Sequence, residues 1–344
     1  MSLPPSMRAV VFESVGEFAV RTVGTPRAAP GHALLRVAAS MICATDRKIL
    51  EGRFPGTTFP HVPGHEFSGE VVDLGAGVTS PAPGTRVGVE VHVGCGRCAR
   101  CEEGLYNLCL NYGDRAAGHA HIGFTVPGGL AEYVSVPASA LHVLPESVSL
   151  EDGAWTDNLG VALWALERGR VSAGENVVVI GPGAIGLCAA QLARALGAKV
   201  TLVGRGERIA RARPFADRVM DEKEIATLYG AADAVIEFAG TADAAREALL
   251  LARRGGRVVL GGATGKGVEL SGVDLSTIVR GHLDVLGSVA NPRRVSGRAL
   301  ELLAAGKVDV KALTTHTFPL ERFDVAWRTF QERRDGAIRV MLIP

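Results

Sequence analysis

The segment from residue 177 to residue 196 constrains the fold more than any other part of the chain. A fully apolar run, Val177–Ile180, leads into the turn Gly181-Pro-Gly183-Ala-Ile-Gly186, and a helical pattern follows over Ile185–Leu196. In such a strand–turn–helix unit the first glycine makes the tight turn, the second lets the backbone approach a pyrophosphate, and the third allows close helix–strand packing. Free amides at the helix start hold the phosphates. The alternative is a glycine-rich turn without a ligand. The sequence predicts a dinucleotide site at Gly181, Gly183, Ala184, Ile185 and Gly186.

Strand and helix signals alternate through the rest of this region. Further apolar runs occur at Val200–Val203, Arg218–Met220, Ala234–Phe238, Arg257–Leu260 and Leu283–Gly287, with polar or helical connectors between most of them. Apolar strands that alternate with helices are typical of a parallel sheet covered on both faces. We therefore predict an α/β domain built on a doubly wound parallel sheet.

The first 150 residues show a different sequence pattern. Short apolar runs, such as Leu34–Ala39 and Arg86–Val91, are separated by glycine and proline, which is typical of a domain rich in strands and loops. A chain of 344 residues fits two domains. The last fifty residues, with a helix predicted at Arg294–Ala305 and a strand at Ala337–Ile343, can close either domain.

The choice between NADP and NAD depends on the residues after the strand Val200–Val203. Where NAD-binding chains place an acid that bonds the ribose 2′-hydroxyl, this chain has Gly204, followed by Arg205 and then Arg208. A guanidinium pairs bidentately with phosphate, so this pattern favours NADP. The alternative is that Arg205 is one more solvated arginine in a chain with 31 arginines and 6 lysines, and that Glu207 serves NAD.

Four of the six cysteines, Cys95, Cys98, Cys101 and Cys109, lie within fifteen residues. Four thiolates on a compact loop are the ligands of a closed, structural zinc site. A regulatory disulfide pair is the alternative.

A second candidate metal group comprises Cys43, His65, Glu66 and Asp157. Taken singly, these residues have ordinary explanations: a buried thiol, a loop histidine, and in Asp157 an N-cap for a helix predicted at Asn158–Arg168. Together they offer a thiolate, an imidazole and a carboxylate with room for a water, which is the open ligand pattern of a catalytic zinc. Glu66 could be a fourth or exchangeable ligand.

Several motifs in a fixed order carry a family resemblance. They are Cys43-Ala-Thr45-Asp46, Gly64-His65-Glu66 with Gly69, the four-cysteine segment, Gly129 with Glu132-Tyr133, and the later glycine turn. The chain resembles the zinc-dependent medium-chain dehydrogenase/reductase family of alcohol, polyol and threonine dehydrogenases. The resemblance implies a GroES-like β-barrel catalytic domain over residues 1–155, completed by residues 295–344, and a Rossmann nucleotide-binding domain over residues 156–294, with the substrate cleft between them.

The resemblance also implies roles for individual residues. Cys43, His65 and Asp157 would bind the catalytic zinc, so that the chain would carry two zinc ions. Thr45 would bond the substrate oxygen and relay its proton, and Asp46 would orient His65. Lys48 stands where the family often has a histidine at the end of the relay. At the cofactor, Arg339 would approach the pyrophosphate, and Ser288 to Ala290 would line the nicotinamide.

These expectations predict an enzyme that transfers a hydride between NADP and a small alcohol, either a secondary alcohol, a polyol or a sugar alcohol. Zinc would supply the acidity, since it lowers the pKa of bound water from 15.7 to about 7. One alternative is a threonine-type dehydrogenase of a hydroxy amino acid that uses NAD. Another is a non-catalytic, nucleotide-binding redox sensor, although such a protein has no evident need for Thr45 and three zinc ligands. A zinc-free quinone reductase would not need the cysteines.

The composition limits the kinds of partner that we expect the protein to bind. A net charge of +1, from 37 basic and 36 acidic residues, argues against a broad nucleic-acid-binding surface. The sequence has no run of 18 apolar residues and no secretion signal pattern, so we expect no membrane span and a cytoplasmic protein. We expect a small-molecule substrate and a homodimer or homotetramer, with Leu283–Gly287 as an edge strand that could pair across a dimer.

Overall fold

A computed structural model describes residues 3–206, 208–265 and 267–344. Its strands are β1 (Ser6–Ser14), β2 (Glu17–Gly24), β3 (His32–Ile42), β4 (Glu66–Leu74), β5 (Arg86–Val89), β6 (His92–Val93), β7 (Ala120–His121), β8 (Tyr133–Pro137), β9 (Leu141–Val143), β10 (Asn176–Ile180), β11 (Lys199–Gly204), β12 (Arg218–Asp221), β13 (Ala232–Glu237), β14 (Ala252–Leu260), β15 (Asp284–Gly287), β16 (Thr314–Pro319) and β17 (Arg339–Ile343). Its α-helices are α1 (Ala44–Leu50), α2 (Ala99–Glu102), α3 (Leu150–Gly153), α4 (Thr156–Arg168), α5 (Ala184–Ala195), α6 (Arg208–Ala212), α7 (Ala242–Leu251), α8 (Leu275–Gly281), α9 (Arg293–Ala304) and α10 (Phe323–Glu332).

Contacts divide the chain into two compact units. The first runs to Asp157 and resumes over Pro292–Ala304 and Val310–Pro344, and the second comprises Asn158–Asn291 with Ala305–Asp309. The sequence-based boundaries were 155/156 and 294/295. The short piece Ala305–Asp309 groups with the second unit, where the Asp309 N–H donates to Gln191 Oε1 at 2.7 Å.

The second unit contains the parallel sheet predicted from the alternating pattern. Its six strands lie in the order β12-β11-β10-β13-β14-β15, and every neighbouring pair is parallel. The central strands are apolar because both faces are covered: Val178, Val235 and Val258 are all buried in one hydrophobic cluster. The order reverses beside β10, so the turn after β10 lies at the switch point where such sheets bind ligands.

The first unit is built mainly from antiparallel strands. A seven-stranded sheet has the order β16-β17-β3-β4-β5-β9, and β8 also pairs with β3. The last strand closes this unit, since Met341 in β17 is paired with Met41 in β3. An aromatic cluster of Phe12, Phe323 and Trp327 joins the N-terminal hairpin to α10. This framework fixes the ends of β3 and β4, where the candidate metal ligands lie.

Within the described ranges, the structure contains no helix that is both long enough and apolar enough to span a bilayer.

Candidate active site and metal centres

The first unit brings Cys43, His65 and Glu66 together, although the sequence separates the cysteine from the other two. Cys43 is the residue before α1, and His65 and Glu66 stand where β4 begins. The thiol sulfur, an imidazole nitrogen and a carboxylate oxygen all lie within 4.8 Å of one another. Two ligands of one zinc ion are at most about 4.6 Å apart, so this group needs little adjustment to hold one.

Asp46 fixes two members of this group. Its Oδ2 accepts a hydrogen bond from the Cys43 N–H at 2.7 Å, which caps α1, and its Oδ1 lies 3.4 Å from His65 Nδ1. The carboxylate is fully buried. Burial works against protonation of His65, but Asp46 and the Cys43 thiol outweigh it and raise the pKa of this imidazole well above its usual value. Because Nδ1 faces Asp46, Nε2 is the nitrogen available to a metal.

Asp157 lies nearby but is not part of the compact group. Helix α4 begins at Thr156, so Asp157 is in the first turn and is not the residue that caps the helix. Burial, together with the Glu66 and Glu90 carboxylates, raises the pKa of Asp157 to about 7. Its Oδ1 has no hydrogen-bond partner among the residues that the structure describes. A buried carboxylate near an imidazole and two further carboxylates, with one oxygen unpaired, is the environment that a divalent cation would stabilise. Direct ligation by Asp157 stays a prediction.

Glu66 is held by an arginine that the sequence analysis placed elsewhere. Arg339 Nη2 donates to Glu66 Oε1 at 2.7 Å, its Nη1 donates to the Ile42 carbonyl at 3.2 Å, and its guanidinium carbon lies 5.9 Å from the Trp155 ring centroid. Both charged side chains are buried. Arg339 was expected at the cofactor pyrophosphate, and that role stays a prediction. Its observed effect is to neutralise Glu66, and sequence reasoning missed both this pair and Trp155.

The two predicted relay residues lie on α1. Thr45 Oγ1 is 3.8 Å from Cys43 Sγ, so the hydroxyl stands at the edge of the metal group. Lys48 is half-buried, one helical turn further along the same short helix. The structure therefore brings Thr45 to the group, while the part played by Lys48 stays a prediction.

The four-cysteine segment forms a second, separate group around α2. The Sγ atoms of Cys95, Cys98, Cys101 and Cys109 all lie within 4.8 Å of one another. Two of the sulfur–sulfur distances are 4.0 Å, close to the roughly 3.8 Å expected for thiolates around tetrahedral zinc, and all six cysteines are free thiols. The backbone N–H of Arg97 is the main group that lowers the pKa of Cys95 to about 6. The geometry fits a closed zinc site.

The predicted nucleotide turn has the expected form. Gly183 is the N-cap of α5, so free backbone amides follow it. A Cβ added at Gly186 would lie 1.9 Å from the Gly181 carbonyl oxygen, which leaves no room for any other residue. At the far edge of the sheet Ala290, one of the predicted nicotinamide-lining residues, has a φ of +45°, and the Ser288 N–H bonds the Leu260 carbonyl. Ligand contacts of these residues stay predictions.

The structure changes the interpretation of Gly204. A Cβ at this position would lie 2.4 Å from Pro182 Cγ, so any residue other than glycine would force Pro182 or the backbone to shift, whatever cofactor binds. Arg205 follows with its side chain 80% exposed and its Nη1 3.9 Å from Glu222 Oε1, and Arg208 begins α6. Glu207, the alternative NAD ligand, lies outside the described residues. Both arginines follow the carboxyl end of β11, where a 2′-phosphate would be recognised.

Comparison with known proteins identifies the family. The model of the alcohol dehydrogenase GroES-like domain matches residues 29–146, and the model of the zinc-binding dehydrogenases matches residues 184–305. A sorbitol dehydrogenase of Halalkalibacterium halodurans is 32% identical, with 96% of each chain covered. The chain belongs to the zinc-dependent medium-chain dehydrogenase family.

Other members of this family are equally similar along the whole chain. A probable alcohol dehydrogenase of Mycobacterium tuberculosis is 33% identical over 96% of both chains. A zinc-binding dehydrogenase candidate from Sinorhizobium meliloti, solved with NADP, is 33% identical, covers 99% of this chain and 100% of its own, and superposes with a TM-score of 0.89. The family resemblance and the predicted fold, a GroES-like domain and a Rossmann parallel sheet, are confirmed. As a medium-chain dehydrogenase, the chain is an oxidoreductase of the alcohol dehydrogenase type.

Proposed function

We propose that this dehydrogenase uses two zinc ions per chain and NADP to interconvert a small secondary alcohol, polyol or sugar alcohol with its carbonyl compound. The observation that carries the proposal is the compact group of Cys43, His65 and Glu66 with the buried carboxylate of Asp157 near it. The four-cysteine group would hold the second ion and keep no position open for chemistry.

The chain's own residues prepare the reaction in the first unit. Bound zinc supplies acidity to a hydroxyl group and polarises a carbonyl group. Asp46 presents Nε2 of His65 and, through the Cys43 N–H, fixes the start of α1. Thr45, whose Oγ1 lies 3.8 Å from Cys43 Sγ, accepts the proton of the substrate hydroxyl and passes its own proton outward, by way of Lys48 or water. The nicotinamide carries the hydride chemistry.

The preference for NADP is supported by Arg205 and Arg208 rather than by Gly204, which packing against Pro182 already explains. Gly204, the residue that ends β11, carries no carboxylate, and the guanidinium groups of Arg205 and Arg208 follow it. The side chain of Arg205 is 80% exposed and lies 3.9 Å from Glu222, so its guanidinium is accessible to a 2′-phosphate. The similar Sinorhizobium meliloti structure contains NADP, which agrees with this proposal.

The substrate class is supported by relatives and by the ligand set. The relative from Halalkalibacterium halodurans is a sorbitol dehydrogenase. By the family resemblance, a carboxylate as the third zinc ligand, here Asp157, favours polyol and threonine dehydrogenases over primary-alcohol enzymes. A hydroxy amino acid dehydrogenase using NAD is the second candidate, supported by the same ligand. We further propose a homo-oligomer formed through β15, one of the two edge strands of its sheet, where Val285 is 40% exposed.

The test is a steady-state screen of polyols, secondary alcohols and hydroxy amino acids with NADP and with NAD. A charge-assisted phosphate contact should give NADP roughly a ten- to hundredfold advantage in kcat/KM. Arg205→Ala should lower kcat/KM for NADP and spare NAD, whereas Arg254→Ala, at the start of β14, should change neither. A clear preference of the wild type for NAD would contradict the cofactor assignment, and absence of turnover with every alcohol would contradict the function.

A further inference from the structure

Three buried histidines meet on one face of a small strand pair in the first unit. β6 pairs with β7 in antiparallel register, with His92 directly opposite His121. Side chains of such partners lie on the same face, and so does His119, two residues before His121. The ring centroids of His92 and His121 are 4.0 Å apart, and those of His92 and His119 are 6.2 Å apart.

We call His92, His119 and His121 the histidine cluster. It contains buried nitrogen atoms that lack a hydrogen-bond partner among the described residues. The three residues are 8%, 2% and 5% exposed. In the part of the chain that the structure describes, neither His92 Nδ1 nor His119 Nε2 has a hydrogen-bond partner. Buried polar groups in folded proteins are almost always paired, so two exceptions within one cluster indicate a missing ligand or an ordered water.

The hydrogen bond that Gly113 makes to His119 shows that Nε2 of His119 is a donor. The Gly113 N–H can only donate, and it donates to His119 Nδ1 at 3.1 Å. A neutral imidazole that accepts at Nδ1 carries its proton on Nε2, so the unpaired Nε2–H of His119 is a buried donor. Burial lowers the pKa of His92 to about 3 and also lowers that of His119, so both rings are neutral at pH 7. A neutral His92 can accept at Nδ1.

The cluster borders the candidate catalytic group. The Phe124 ring stacks on His121 with centroids 3.7 Å apart and also contacts the His65 ring at 4.5 Å. Asp157 accepts a hydrogen bond from the backbone N–H of Val91, the residue before His92. The cluster and the group of Cys43, His65 and Glu66 are therefore neighbours in the first unit, with Phe124 in contact with both.

We propose that His92 and His119 form a subsite that binds a hydroxyl group of a polyhydroxy substrate, away from the carbon that is oxidised. A hydroxyl group both donates and accepts a hydrogen bond, so it complements the Nε2–H donor of His119 and the Nδ1 acceptor of His92, on rings whose centroids are 6.2 Å apart. Among the described residues the three imidazoles are not grouped closely enough to share a metal ion, which favours a neutral, hydroxylated ligand over a cation. The inference rests on the proposed function and narrows its substrate class to polyols.

The test compares butan-2-ol, butane-2,3-diol and sorbitol as substrates with NADP. For the wild type, kcat/KM should be higher for butane-2,3-diol and sorbitol, which carry further hydroxyl groups, than for butan-2-ol. His119→Leu and His92→Leu should each lower the ratio of kcat/KM for sorbitol over that for butan-2-ol by about ten- to hundredfold, mostly through KM. His119→Gln, which restores a donor, should recover part of the ratio.

The control is His32→Gln, a histidine at the start of β3 whose Nδ1 lies 3.4 Å from Ser135 Oγ, outside the cluster. It should leave the ratio unchanged. Zinc content measured on every variant checks that the sites are intact. An unchanged ratio in both leucine variants, or the loss of a third metal ion from them, would overturn the subsite. A wild type that oxidises butan-2-ol but no polyol would overturn the subsite and leave the proposed function standing. One that oxidises no alcohol of the wider screen would overturn both.

Discussion

Replacing Asp46 by asparagine tests whether this carboxylate prepares His65 for zinc. The change is nearly isosteric, and the asparagine oxygen can still accept from the Cys43 N–H, so the cap of α1 should survive. What is lost is the negative charge 3.4 Å from His65 Nδ1. An asparagine N–H facing Nδ1 would also favour the imidazole tautomer with its proton on Nε2, the nitrogen that must be free to bind zinc.

The magnitude follows from the kind of contact that is removed. Two full charges at this distance would interact by about 5 kcal/mol at an effective dielectric constant of about 20, but a zinc-bound imidazole is neutral, so this value is too large. The appropriate figure is that of a hydrogen bond to a charged group, about 1.5–3 kcal/mol. We therefore expect zinc affinity at the open group to fall by about 10- to 100-fold, in the range seen for partners behind metal ligands.

The assay is competition for zinc with a chromophoric chelator. Zinc held by the four cysteines provides an internal reference, because its ligands lie in a different segment and should keep their affinity. Asp73→Asn is the matched control, since Asp73 is an exposed acid on β4 whose Oδ1 bonds only the next backbone N–H, that of Leu74. Equal zinc affinities of wild type and Asp46→Asn at the open group would refute the reasoning.

Two further predictions concern the same unit. Thr45→Ala should lower kcat by about 10²–10⁴ while zinc and cofactor still bind, because a proton-transfer group is lost, and Thr45→Ser should keep most activity; a fully active alanine variant would exclude the relay. Elemental analysis should find two zinc ions per chain, and a chelator should remove the ion at Cys43 first, abolishing turnover while the circular dichroism spectrum persists. One zinc ion or none in metal-replete protein would contradict the two-site proposal.

Much of the fold could be predicted because its signals are contiguous. The apolar run Val177–Ile180 lies within the observed strand Asn176–Ile180, and the predicted helix Ile185–Leu196 differs by one residue from Ala184–Ala195. A run of apolar residues or a glycine turn indicates the local backbone conformation by itself, without information from the rest of the chain. The grouping of the four cysteines could also be predicted, because a loop of fifteen residues keeps its thiols close together.

Gly204 shows where a local interpretation was incomplete. The missing side chain was interpreted as the absence of an NAD-binding acid, and the structure adds that Pro182 occupies the space a Cβ would need. These residues are 22 positions apart, so only the packing of the turn after β10 against the end of β11 reveals the conflict. Asp157 is similar: that it does not cap the helix follows from the start of α4 at Thr156.

The sequence by itself determined the two kinds of sheet, the glycine turn and the residue types that could bind metal, because those depend on periodicity and short-range geometry. Only the tertiary structure determines which charged and polar side chains, far apart in the sequence, lie in contact. Arg339 neutralises Glu66 across 273 positions because β17 pairs with β3, whose neighbour β4 begins at Glu66. His92 meets His121 because β6 and β7 pair in one particular register. Register and packing are set by the free energy of the whole core, which no short segment contains.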